Sequence, residues 1–185
     1  MLTPALDPAT KVCAVGLVKD GRVVAEYDIS VGLTHSEGLI PQVDQLFSRT
    51  GFKKEQIDRI AVSIGPGSFT GLRIGLAAAE AMAYAWQCDI CGVNTLTALA
   101  YNLPVEKVLL APVLDAQKGN YYTAFYTWEQ GQLQELHSIE MVDPEALFSQ
   151  AEQFGMPVLL LGEAEKLAKK TLPEGISLAP EQVRL

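Results

Sequence analysis

Apolar and polar positions alternate along residues 12–19 and again along 23–29, which is the period of half-buried strands. Asp20-Gly21 between them is a strong signal for a two-residue hairpin turn. The period then lengthens. Thr34-His35-Ser36-Glu37 has the Thr-x-x-Glu form of a capping box, and Leu39, Ile40, Val43, Leu46 and Phe47 follow at helical spacing, with Pro41 implying a kink or a later start. A β-branched strand at 59–64, an alanine-rich helix at about 69–87 and a short strand at 90–93 follow. Counting an N-terminal strand disturbed by Pro4, the first half reads as three strands, helix, strand, helix, strand.

The second half repeats the order. Residues 108–114, 121–127 and 133–139 read as strands separated by turns at Lys118-Gly119-Asn120 and Gln130-Gly131. Asp143-Pro144-Glu145 opens a helix with a cap, a proline in the first turn and an early acid, and a strand at 158–161 and a helix at 163–170 follow. Two successive strand-strand-strand-helix-strand-helix units predict an α/β chain of two lobes, each a mixed sheet with flanking helices. The expected division is 1–103 and 104–185, at Leu103-Pro104.

The run Gly65-Pro66-Gly67-Ser68-Phe69-Thr70-Gly71-Leu72-Arg73-Ile74-Gly75 joins the strand ending near residue 64 to the alanine-rich helix. Glycine-rich turns at a helix N-terminus serve one of two ends: N–H groups converge on an anion, or a neighbouring backbone packs closely. The dinucleotide fingerprint is excluded because the third glycine falls one place late, at Gly71. The phosphate-binding P-loop is excluded because no lysine occurs between Lys54 and Lys107, and a Gly-x-Ser-x-Gly nucleophile elbow because Pro66 stands at its first position. Gly65, Gly67, Gly71 and Gly75 are therefore read as turn residues.

Charge and cysteine content narrow the functions further. Among 185 residues, 14 Lys and Arg face 22 Asp and Glu, a net charge of -8 with no basic stripe of the kind that neutralises nucleic-acid phosphates. Cys88-Asp89-Ile90-Cys91 spells C-x-x-C, but it lies where a helix ends rather than begins and lacks a second ligand pair, so a structural role is expected for it and for Cys13. No apolar run approaches the roughly 20 residues of a membrane span and no signal-peptide pattern opens the chain, which predicts a soluble, cytoplasmic protein without membrane contact.

The glycine block, the His35-Ser36-Glu37 segment and Val113-Leu114-Asp115-Ala116-Gln117-Lys118-Gly119 together resemble the TsaB (YeaZ-type) family of the bacterial tRNA threonylcarbamoyladenosine machinery, from about Asp7 onward. By analogy, the strand order then corresponds to a duplicated ribonuclease H-like fold of the actin and sugar-kinase (ASKHA) superfamily. The resemblance implies a non-catalytic scaffold that pairs with a TsaD-type catalytic subunit, with a TsaE-type ATPase in the same complex. It further implies tRNA contact only through the complex, self-association as a homodimer when alone, and ATP or ADP at the subunit interface rather than a cofactor of its own. Family members continue into a C-terminal helix that returns towards the first lobe, and the resemblance implies that this helix is absent here.

In that superfamily the first hairpin holds metal and phosphates. The matching residues here are Asp7-Pro8-Ala9-Thr10, which makes Asp7 and Thr10 weak nucleotide candidates, since Pro8 removes an N–H donor. The catalytic relative's His-x-x-x-His metal pair is broken, because Leu39 stands four residues after His35. Ser68 and Thr70 have no identifiable base, so no catalytic or metal residue is assigned. An ATP-dependent phosphotransferase or a metallopeptidase of the same superfamily is the alternative function.

Between Leu72 and Gln87 the only ionised side chains are Arg73 and Glu80, which predicts a helix covered on more than one side. The expected partner surface combines Leu39, Val43, Leu46 and Phe47 on the first helix with Phe69, Arg73, Ile74, Ala77, Ala78, Ala81, Met82 and Ala85 on the second.

Overall fold

The computed structural model describes residues 1–29, 35–169 and 171–181. The chain divides into two compact units, Met1–Thr95 and Leu96–Leu185. The sequence reading placed this division at Leu103-Pro104. The difference arises from a short helix at Thr95–Tyr101, which sequence periodicity did not reveal and whose Leu96, Leu99 and Ala100 are buried in the core of the second unit.

In the first unit, β1 (Leu2–Asp7), β2 (Cys13–Lys19) and β3 (Arg22–Ile29) form an antiparallel meander, α1 (His35–Thr50) leads to β4 (Arg59–Ser63), and α2 (Phe69–Trp86) leads to β5 (Asp89–Val93). The sheet order is β3-β2-β1-β4-β5, with β4 and β5 parallel to β1. Asp20 and Gly21 both take positive φ, as the two-residue turn requires. The helix α1 runs through Pro41, while the cap expected at Thr34 and the side chain of His35 lie outside the described residues. Leu2, Leu6, Val15, Leu17, Ile60 and Val62 alternate onto one sheet face and meet α1 and α2 there.

The second unit has α3 (Thr95–Tyr101), then β6 (Leu109–Asp115), β7 (Tyr121–Glu129), β8 (Gln132–Val142), α4 (Pro144–Glu152), β9 (Val158–Gly162), α5 (Glu165–Ala168) and β10 (Ile176–Leu178). Its sheet order is β10-β9-β6-β7-β8, the first order read in reverse. Asp143 caps α4, its carboxylate accepting the Ala146 N–H at 2.8 Å. The helix expected at 163–170 is only four residues long, and β10 is an addition to the expected elements.

Central strand, antiparallel neighbours on one side and parallel neighbours on the other define the ribonuclease H-like arrangement, and it occurs here twice. The central strands also match in sequence: Leu2-Thr3-Pro4-Ala5-Leu6-Asp7 aligns with Leu110-Ala111-Pro112-Val113-Leu114-Asp115. Proline is rare inside a sheet because it cannot donate to the ladder. Pro4 is tolerated because pairing with β4 begins at Ala5, one residue later. Pro112 falls in a gap of the β6–β7 ladder, where the Thr123 hydroxyl donates to its carbonyl at 3.1 Å.

Candidate functional site

The glycine-rich turn packs against the chain's own first hairpin. Gly67 takes φ +156°, and a methyl group there would sit 2.4 Å from the Ala9 carbonyl oxygen; one at Gly75 would sit 2.5 Å from the Pro8 ring. The Ser68 N–H donates to the Ala9 carbonyl at 2.7 Å, while the Ser68 hydroxyl caps α2 by accepting the Gly71 N–H at 3.2 Å. Of the two uses open to such a turn, close backbone approach is the one this geometry serves. Ala9 packs against the turn just ahead of α2, and Pro8 against Gly75 within the helix.

The same contact governs the two nucleotide candidates. Asp7 Oδ1 accepts the Ala9 N–H at 3.0 Å, and the Thr10 hydroxyl both accepts the Val12 N–H at 3.2 Å and faces the Val12 carbonyl at 3.3 Å. Pro8 lacks an N–H, and the Ala9 N–H and carbonyl and the Thr10 hydroxyl each have a partner within the chain. Among the described residues, no group of three or more His, Cys, Asp or Glu side chains is arranged to hold a metal ion.

The helix α2 sorts its residues sharply. Gly71, Gly75, Ala79 and Ala83, four apart, form the buried stripe against the sheet. Ile74, Ala78 and Met82 are half-buried against the core of the first unit, whereas Phe69, Arg73, Ala77, Ala81 and Ala85 are exposed. The first helix requires a correction: Leu39, Val43, Leu46 and Phe47 are at most 6% exposed and belong to the core, with Phe47 packed edge-on against Trp86 at 5.6 Å. They cannot form a partner surface without opening the fold.

Three further residues, absent from the expected surface, lie on this helix's exposed side. Leu76, Glu80 and Tyr84 share the exposed side of α2, Tyr84 at 82% and Phe69 at 73% exposure, and an open groove of about 530 Å³ continues from Glu80 and Tyr84 towards Ile90 on β5. The signal for them was present in the stripe of glycine and alanine, since the smallest residues mark the side that approaches the sheet most closely and so fix the opposite side.

Residues 30–182 match the family described as TsaD: tRNA N6-adenosine threonylcarbamoyltransferase. The tRNA threonylcarbamoyladenosine biosynthesis protein TsaB of Bacillus subtilis is 29% identical over 170 residues, covering 92% of this chain and 74% of that protein. The solved structure of YeaZ from Pseudomonas aeruginosa is 30% identical, with a TM-score of 0.70 over 79% of this chain and 69% of that one. The chain belongs to this family, as a member of the TsaB/YeaZ type. A second solved structure, of a Pseudomonas aeruginosa protein with similarity to peptidase YEAZ, shares the fold with a TM-score of 0.80 at 25% identity, over 97% of this chain and 84% of its own.

In this TsaB/YeaZ-type chain the second unit treats its strand end differently. Asp115, the counterpart of Asp7, pairs with Lys166 on α5, accepts the Gln117 N–H at 2.8 Å, and through its own N–H donates to Glu163 at 3.0 Å. That pairing holds the Lys166 ammonium pKa above its ordinary range, and burial followed by the Asp115 charge pushes the Tyr121 phenol up.

The three cysteines are free, and burial raises the thiol pKa of Cys13 and Cys88, with Asp7 and Asp89 adding to the effect. That is the opposite of an activated thiolate. His137 lies 3.1 Å from Glu140 on the edge strand β8. Among the described residues, no helix is long and apolar enough to cross a membrane.

Proposed function

We propose that this chain is an accessory subunit in the biosynthesis of threonylcarbamoyladenosine in tRNA, without an active site of its own. It docks a TsaD-type catalytic subunit through the exposed side of α2 and supports threonylcarbamoyl transfer to N6 of adenosine 37 in ANN-decoding tRNAs. The observation that carries this reading is the exposure of Phe69, Leu76, Ala77, Ala81 and Tyr84 on one side of a helix whose other side is buried. A helix of a monomer normally shows water a polar side, and apolar residues gathered there mark a protein contact.

The names of the relatives supply the pathway, and the committed hairpin at Asp7–Thr10 supports the non-catalytic role over the phosphotransferase alternative. The net charge of -8 favours tRNA contact through the complex and not by this chain alone. In the same proposal, a TsaE-type ATPase joins the assembly, and any ATP or ADP lies where the subunits meet.

Ala78 and Ala81 provide the test because they differ in burial. Ala81→Glu leaves the fold intact but places an unpaired carboxylate in the docked interface, which costs several kcal/mol and weakens partner binding by about a hundredfold or more. Ala78→Glu intrudes on the packing of the first unit and lowers its thermal stability. Partner affinity by calorimetry and tRNA modification by nucleoside analysis are the readouts. A folded Ala81→Glu variant with normal affinity means that docking occurs elsewhere.

A further inference from the structure

We propose that β5, an edge strand of the first unit, accepts an extended segment of a partner protein as a sixth strand of the sheet, the segment combining apolar with basic residues. The surface lies beside the docking side of α2 but does not depend on it.

An edge strand exposes a row of unpaired N–H and C=O groups, and proteins blunt such edges with charged side chains, bulges or short length. Among the described strands, three of the four edges are blunted. β3 carries Arg22, Glu26 and Asp28 and meets its neighbour through a register shift; β8 carries Glu135, His137 and Glu140 and has two such shifts; β10 is three residues long. The edge at β5 has none of these devices. It pairs with β4 in unbroken register over its five residues, and its one charge, Asp89, stands at the first position.

The Asp89 N–H donates to the Asp58 carbonyl at 3.4 Å and the Val93 carbonyl accepts the Ile64 N–H at 2.9 Å, so the parallel ladder commits Asp89, Cys91 and Val93 to β4. The N–H and C=O groups of Ile90 and Gly92 therefore point away from the sheet. Among the described residues, no backbone group meets them. Gly92 interrupts a strand without shifting its register, and a glycine so placed marks a site of close approach by another backbone. A strand added at about 4.8 Å pairs with both residues.

The groove between α2 and β5 sets the chemistry of the segment. Tyr84 and Ile90 give it apolar walls, Glu80 and Asp89 give it negative charge, and no Lys or Arg lines it. Neither carboxylate forms an ion pair with a described residue. Further along, Ile64 is 59% exposed and its side chain lies over Gly92, which continues the apolar strip beyond Ile90. Apolar residues of the added strand cover Ile64 and Ile90, and its basic residues meet Glu80 and Asp89.

The probe is a short peptide that alternates Lys and Val, titrated into the full chain while amide hydrogen exchange is followed residue by residue. Binding should slow exchange at Ile90 and Gly92 about tenfold or more and leave Asp89, Cys91 and Val93, already paired, little changed. A matched peptide with Glu in place of Lys should not bind, nor should one whose alternate amides are N-methylated along one edge. On the protein, Gly92→Pro removes an outward donor that β4 does not use and should weaken binding about tenfold or more. Glu80→Lys, an exposed change, should weaken it several-fold.

No binding of the Lys peptide at millimolar concentration, binding that leaves Ile90 and Gly92 unprotected, or equal binding of the N-methylated peptide would each overturn the proposal. A folded Gly92→Pro variant with normal affinity would do the same; if that variant does not fold, the exchange pattern of the wild type decides. Ala81→Glu, which weakens docking on α2, should bind the peptide as the wild type does, so the two surfaces stand or fall separately.

Discussion

The two units place an aspartate at the end of the same central strand and use it in opposite ways. Asp7 folds inward on its own hairpin, and that hairpin is then clamped under the glycine turn by the Ser68–Ala9 hydrogen bond. Asp115 reaches outward to Lys166 and Glu163, tying together three separate segments of the second unit. The parallel strand beside it leads into helices of very different scale, 18 residues in α2 against four in α5. One topology therefore yields a unit that presents a long helix and a unit that consolidates its own strand ends. The difference lies in loops and side chains, because the strand order is shared.

The contrast is broken most directly at the glycines. Gly67→Ala should destabilise the first unit by about 3 kcal/mol, since its methyl group meets the Ala9 carbonyl and the backbone leaves the region that side chains favour. Gly119→Ala, in the β6–β7 hairpin of the second unit, has φ +86° but open space around it, so only the backbone cost of about 1 kcal/mol applies. Urea unfolding of both variants measures the ratio. Equal losses would mean that the close approach at Gly67 contributes nothing beyond its dihedral angle.

Helix caps give a smaller and more symmetric effect. Ser68→Ala and Asp143→Ala each remove one acceptor from an N-terminal N–H, at Gly71 and Ala146, and each should cost about 1 kcal/mol. Hydrogen exchange should show the loss within α2 in the first case and α4 in the second. Protection lost in both helices from either change would show that the units unfold together.

The smallest effect is expected in alkali. Cys13 in the first unit and Tyr126 in the second have pKa values raised by burial above their ordinary 9.0 and 10.0. Their neutral forms are favoured in the folded state, so this contribution is complete below the ordinary value and is lost as pH rises through the folded one. Melting temperature should fall above about pH 9, with Cys88 contributing to the same fall, and Cys13→Ala should reduce its size while leaving the tyrosine-dependent loss at higher pH. A fall of unchanged size in Cys13→Ala would assign it to other groups.

Much of this architecture was legible because local chemistry and global order agree. Asp20-Gly21 and Gln130-Gly131 announced their hairpins, and all four residues have positive φ. Asp143-Pro144-Glu145 announced α4. By contrast α3 and β10, seven and three residues long, are too short for a period to emerge.

The site was harder to read. Periodicity shows which residues share a side of a helix, but not whether the fold covers that side. Leu39, Val43, Leu46 and Phe47 form such a side, and the core of the first unit covers it. In α2 the usual rule misleads, because glycine and alanine face the sheet and Phe69 and Tyr84 face outward. Hydrophobicity alone could not choose between those sides.

The contact between Gly67 and Ala9 also has a mechanical meaning. It pins the helix at one end, and Tyr84 lies some 22 Å further along the axis at about 1.5 Å per residue. A tilt of about 5° at the pin would carry Tyr84 sideways by roughly 2 Å, enough to misalign an interlocked contact of side chains. The turn thus acts as the fulcrum of a lever, and the aim of the far end is set by a backbone contact at the near one.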